Sequence, residues 1–124
     1  MVGIGRTVPE AGASRGDVHF IEFPDIGGHV IKGLHPAVVV RTDHMRRSAT
    51  VIVCPMTSAP RSAPVSPPYL VPVTARECGL SRDGYVKCDQ LLTFPTLVLG
   101  ERAGRLNPDA IGRVDDALRF VLGL

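Results

Sequence analysis

A chain of 124 residues, 44% hydrophobic and 21% charged with a formal net charge of +2, has the size and balance of one globular domain. No run approaches the ~18 apolar residues a membrane-spanning helix needs. Aromatic residues make up 5% and tryptophan is absent, which excludes a broad base-stacking platform.

The first 14 residues, MVGIGRTVPEAGAS, lack the apolar core of a signal peptide and read as a loose tail, leaving 15–124 as a single domain. Three cysteines, Cys54, Cys78 and Cys88, form an odd set with no C-x-x-C spacing. We expect reduced thiols, a cytoplasmic location and no structural zinc site.

DVHFIEF (17–23) alternates as a strand, with Val18, Phe20 and Glu22 on one face and His19, Ile21 and Phe23 on the other. His19 is expected at the surface or against a partner. Pro24 ends the strand. The glycine-rich stretch GGHVIKGLHP follows, carrying His29, Lys32 and His35, with Pro36 expected at the start of the next strand. Ala37 to Arg41 is apolar on both faces and reads as a central strand.

From Lys32 to Arg61 five cations, Lys32, Arg41, Arg46, Arg47 and Arg61, meet Asp43 alone. That local excess suits a polyanion partner, although a solvated face is the commoner use of such a run. His44 beside Arg46 and Arg47 is expected in a solvated loop. TVIVCPM (50–56) is a further apolar strand that buries Cys54.

Residues 57–68, TSAPRSAPVSPP, form an extended proline-rich loop, and loops of that length are often functional. YLVPV (69–73) carries Pro72 and suits an edge strand. Asp83-Gly84 marks a turn before a short strand through Cys88. The last segment is helical: Asn107 caps, Pro108 and Asp109 suit the first turn, and Gly123 closes it. Ile111, Val114, Leu118, Val121 and Leu122 form one apolar stripe, expected to be core. Short strands followed by one helix predict a mainly β fold, a small antiparallel barrel with a C-terminal helix.

RGDVHFIEF, GGHVIKGLHPAVVV, TVIVCPMTS, GYVKCDQLLTF and LNPDAIGRVDDALRFVLGL, in this order, resemble the MazF/PemK family of toxin endoribonucleases in the CcdB-like superfamily. The resemblance runs from about Arg15 to Leu124. It implies an SH3-like barrel, a homodimer and metal-independent cleavage of single-stranded RNA such as mRNA, with no cofactor. It also implies a partner antitoxin whose extended tail covers the RNA groove. Attack by the RNA 2′-hydroxyl would leave a 2′,3′-cyclic phosphate and a 5′-hydroxyl.

The threonine after Pro-x in the family corresponds to Thr57. The family's arginine before the strand proline corresponds to His35. A glutamate five residues earlier corresponds to Val30. The Asp-Gln segment corresponds to Asp89 and Gln90, and an arginine two residues after the glutamine corresponds to Leu92.

Such cleavage needs a proton acceptor for the 2′-hydroxyl, charge at the crowded phosphorane and a proton donor for the leaving oxygen. Arginine offers a fixed positive fork but is a poor acid, with a pKa above ~12. An imidazole titrates near ~6.5 and can give or take a proton near neutrality. His35 is therefore the candidate acid, and His29 the candidate base in the same loop. Thr57 is the candidate donor to a phosphate oxygen, and Lys32, Arg61, Ser58, Asp89 and Gln90 are candidates for holding RNA. Each also has a plain structural use; Asp89 and Gln90, for instance, can fix a loop through side-chain hydrogen bonds. A barrel that only binds RNA or antitoxin, and a gyrase-poisoning relative, remain the alternatives.

Overall fold

The computed structural model describes residues 12–58 and 66–124. Residues 1–11 of the tail expected over 1–14, and Arg61, lie outside the described residues. The elements run β1 (Asp17–Phe23), β2 (Gly33–Val39), β3 (Thr50–Ser58), β4 (Leu70–Val73), α1 (Ala75–Cys78), β5 (Gly84–Lys87), β6 (Leu92–Pro95), β7 (Arg102–Arg105) and α2 (Pro108–Leu122). The seven strands pair antiparallel in the order β4-β5-β3-β2-β1-β7, with β6 also on β3.

The path has two ends, β4 and β7, and α1 bridges them. It follows β4 directly, and the Asn107 N–H beyond β7 donates to the Glu77 carbonyl at 2.8 Å. Gly104 in β7 lies against the Cys78 carbonyl so closely that no Cβ would fit. That contact makes a small sheet barrel-like without an eighth strand.

β2 is buried on both faces from Ala37 to Val39, as its composition predicts. Val38 joins Cys54, Met56, Val71 and Val86 in one core, against which α2 packs Ala110, Val114 and Ala117. Ala37 and Val39 face the other way, into a second core with Ile21, Phe23, Val51 and Val53. β4, with Pro72, is an edge strand hydrogen-bonded to β5.

Three expectations are corrected. His19 is buried, with its Nδ1 2.8 Å from the Gly100 carbonyl and its Nε2 without a hydrogen-bond partner among the described residues. His19 shares its face with buried Ile21 and Phe23, because the register with β2 runs unbroken from Val18 to Phe23, and the Gly100 backbone covers it; Val18 is buried on the opposite face, while Phe20 and Glu22 are exposed. Arg41 is also buried, donating to the Thr50 and Ala13 carbonyls, so it leaves the basic zone. Burial lowers its pKa despite the attraction of Asp43. Finally, Leu122 is 54% exposed, although its neighbour Val121 packs against the first core.

The helix ends are as expected: the Asn107 side chain accepts from the Ala110 N–H, and Gly123 closes the C-terminus in the left-handed region. Ala13, within the expected tail, is buried, and the Ser14 N–H donates to Asp17 Oδ2 at 2.9 Å. Among the described residues no helix is long and apolar enough to cross a membrane.

Candidate functional site

β2 and β3 pair over three positions, Val39↔Val53, Val38↔Cys54 and Ala37↔Pro55, and then part. The reason is covalent. The Val40 N–H donates to the Ile52 carbonyl, so even-numbered residues of β2 turn their backbone groups toward β3. Pro36 is such a residue and has no N–H to offer, so the ladder stops before it. Below that point β2 stays on β1 down to Gly33, and β3 is paired with β5 from Met56 to Ser58.

The result is a split in the sheet. Three consecutive residues line it from each side, Leu34, His35 and Pro36 facing Met56, Thr57 and Ser58. Extending the β2–β3 register by two residues would put His35 opposite Thr57. The cleft has a volume of about 550 Å³, and the loop between α1 and β5 forms its far wall with Ser81, Arg82 and Asp83. Phe20 completes an apolar side.

Each candidate residue now has a place. His35 is half-buried inside β2, not in a loop ahead of it, and pairs with Ile21. Its ring meets Phe23 edge-on at a centroid distance of 6.4 Å. Thr57 and Ser58 lie in the last turn of the β3 pairing, opposite Tyr85 and Gly84. These three candidates share the cleft.

The others do not line it. His29 is exposed on the 27–32 loop. Lys32 is exposed and reaches Asp25 at 3.5 Å. Asp89 is exposed, and Arg61 lies outside the described residues. Gln90 is turned to the loop: its Oε1 accepts from the Ile31 N–H at 2.8 Å, and its Nε2 donates to the His29 carbonyl at 3.1 Å. Its amide is thus used in positioning the segment that carries His29 and Lys32.

The apolar residues at the two other family positions have structural uses. Leu92 packs against the second core beside Phe94, whose ring meets Phe23 at 5.4 Å. Val30 is half-buried in the loop. The thiols are all free and buried. A hydrogen bond with Cys88, then burial, pushes the Cys54 thiol up, so it stays protonated. Among the described residues no group of three or more His, Cys, Asp or Glu side chains is placed to hold a metal ion.

The sequence reading missed Ser81, Arg82 and Asp83. Asp83 was legible as a turn residue, but nothing in local spacing links that turn to His35, 48 positions earlier. The link is made by β3, which carries Thr57 and is hydrogen-bonded to β2 on one side and β5 on the other.

Residues 14–122 match the family model of the PemK-like, MazF-like toxin of type II toxin–antitoxin systems. Endoribonuclease EndoA of Bacillus subtilis (strain 168) is 30% identical over 111 residues, covering 89% of this chain and 94% of that protein. An endoribonuclease from a mycobacterial species, solved in complex with its cognate antitoxin, superposes with a TM-score of 0.72 at 25% identity. The match covers 91% of this chain and 97% of that one. MazF of Deinococcus radiodurans superposes with a TM-score of 0.74 at 21% identity, over 96% of this chain and 100% of that one, a likeness of fold. With the family match spanning nearly the whole sheet, the cleft and α2, the chain belongs to the PemK-like, MazF-like family of type II toxins.

Proposed function

We propose that this chain is the toxin of a type II pair, an endoribonuclease that cleaves single-stranded RNA at the split between β2 and β3 without a metal ion. The observation that carries the reading is the placement of His35 and Thr57 on opposite walls of one cleft. The family match and the name of the Bacillus relative support it.

In this mechanism the RNA 2′-hydroxyl loses its proton and its oxygen attacks the adjacent phosphorus. The P–O5′ bond breaks, and His35 gives the departing 5′-oxygen a proton. Thr57 donates a hydrogen bond to a non-bridging oxygen as charge builds there, an interaction worth about 3 kcal/mol at a preorganised site. His29, on the loop held by Gln90, is the base once bound RNA draws the loop over the cleft. The products are a 2′,3′-cyclic phosphate and a 5′-hydroxyl.

The working unit is a homodimer in the cytoplasm, and its partner is an antitoxin whose extended tail occupies the same cleft. The mycobacterial structure with a cognate antitoxin supports that part of the reading.

The test is incubation of the purified protein with a mixed-sequence RNA in EDTA. Fragments ending in cyclic phosphate support the reading, and their loss on adding the antitoxin supports the partner. Intact RNA overturns it; retained binding would then mark an RNA-binding barrel, and trapped gyrase–DNA complexes a gyrase poison.

A further inference from the structure

Charge on the phosphorane is stabilised further by a permanent cation beside Thr57, and His35 ceases to be a cation once it gives up its proton. Among the described residues lining the cleft, Arg82 is the one permanent cation. Lys32, the cation nearest His35 in sequence, is not among them and leans toward Asp25.

Arg82 is presented from a clamped loop. At its start the Gly79 N–H donates to the Ala75 carbonyl at 2.8 Å, and at its end Asp83 Oδ1 accepts from the Ala75 N–H at 2.8 Å. Gly84, immediately after, pairs with Ser58 and lies against the Thr57 carbonyl. The base of Arg82 is thus fixed relative to the wall that carries Thr57.

The Arg82 guanidinium itself makes no hydrogen bond or ion pair among the described residues. Arg15, Arg102, Arg105, Arg113 and Arg119 are paired with carboxylates; Arg46, Arg47 and Arg76 lack such a partner among the described residues as Arg82 does, but none of them lines the cleft. A fixed base with an uncommitted, exposed fork is the arrangement expected of a group that waits for an anionic ligand.

We propose that Arg82 is a catalytic residue that contacts a non-bridging oxygen of the scissile phosphate across the cleft from His35. The inference rests on the endoribonuclease reading above. It divides between two side chains the work that one arginine does at the His35 position in the family pattern: His35 moves the proton and Arg82 holds the charge.

The experiment compares wild type, Arg82→Ala and Arg82→Lys on a short RNA, with an analogue carrying 2′-deoxy at the cleavage position as the binding probe. Arg82→Ala is expected to lower kcat by about 100-fold or more, with affinity for the deoxy analogue changed by less than about 10-fold, one rim contact's worth. Arg82→Lys recovers part of the rate. Phosphorothioate diastereomers at the scissile position give a second readout. Wild type discriminates between them, and Arg82→Ala loses that discrimination, which a purely structural role would not alter.

Active wild type with an equally fast Arg82→Ala variant overturns this inference and leaves the endoribonuclease reading intact. So does a loss confined to affinity. Inactive wild type overturns the endoribonuclease reading itself, and this inference with it.

Discussion

Gln90 holds His29 by its backbone: the side-chain amide donates to the His29 carbonyl at 3.1 Å while accepting from the Ile31 N–H at 2.8 Å. Two hydrogen bonds from one rigid group define the shape of a loop that two glycines would otherwise leave loose, since Gly27 and Gly28 both sit at positive φ. Gln90→Ala removes both bonds, worth about 1 kcal/mol each. Exchange protection of the Ile31 amide should fall by roughly 10-fold or more, while the melting temperature shifts little, because only the partly buried Ile31 side chain ties this loop to a core. RNA cleavage should drop with it. Unchanged exchange at Ile31 would show that the amide does not set the loop.

The division of labour at the cleft is read most directly from pH profiles. His35→Ala should lower kcat by about 100-fold or more, the contribution of a positioned acid. The protein should still fold, since the half-buried ring makes an edge contact with Phe23 and no hydrogen bond among the described residues. Wild-type rates should fall toward high pH as the imidazolium is consumed. His35→Arg, which restores the family's usual residue, should lack that alkaline limb because arginine keeps its charge. His29→Ala should lose the acid limb and keep the alkaline one. Identical profiles for wild type and His35→Arg would remove proton transfer from the role of His35.

Glu77 makes stability depend on acid in a predictable direction. The Thr74 N–H bonded to its carboxylate holds its pKa below the usual range, with a smaller contribution from the Arg113 guanidinium, and partial burial opposes the shift. A carboxyl lowered in this way stabilises the fold above its unfolded pKa of ~4.3. The benefit fades as pH falls through the folded value. Thr74 and Glu77 form a reciprocal capping box on α1, the helix that joins the two ends of the sheet path. Gln at this position can keep the capping-box bond, so Glu77→Gln removes the charge alone and should cost up to about 1 kcal/mol at pH 7, and the gap to wild type should close in strong acid. Denaturation curves at both pH values decide it; a gap that is the same at pH 7 and pH 2 sinks the assignment.

What could be read from sequence was local. α2 announced itself through Asn107, Pro108, Asp109 and Gly123, each within a turn of a helix end. β2 showed burial on both faces, and Pro72 showed an edge. Gln90 was readable as a loop anchor or as an RNA contact, and only the folded loop favours the first. What escaped was long-range. α1, β6 and β7 have four residues each and weak patterns. Their places come from partners far along the chain, such as Val51↔Phe94 and Val18↔Gly104. The burial of Arg41 and His19 depends on carbonyls brought up by Thr50, Ala13 and Gly100. The split at Pro36 required knowing which way the even residues of β2 face, and a proline in a strand says nothing of that until its neighbour is known.

The wall of the cleft depends on one missing methyl group. A Cβ built on Gly84 would stand 2.7 Å from the Thr57 carbonyl oxygen, a backbone atom that cannot rotate away. β5 and the end of β3 are therefore in contact at a distance only glycine permits, and Thr57 takes its position from that contact. Gly84→Ala must push the strands apart, at a cost of about 1–3 kcal/mol for an overpacked backbone contact. It should also lower cleavage at temperatures where the variant is fully folded, because Thr57 moves with its carbonyl. Gly112→Ala is the control. That position is in α2 with nothing within 4 Å of a Cβ, and the change should stabilise by up to about 1 kcal/mol through helix propensity with cleavage untouched. Melting temperature and single-turnover rate, measured on both variants, test the contrast. A Gly84→Ala protein with wild-type stability and rate would show that β5 does not set the position of Thr57.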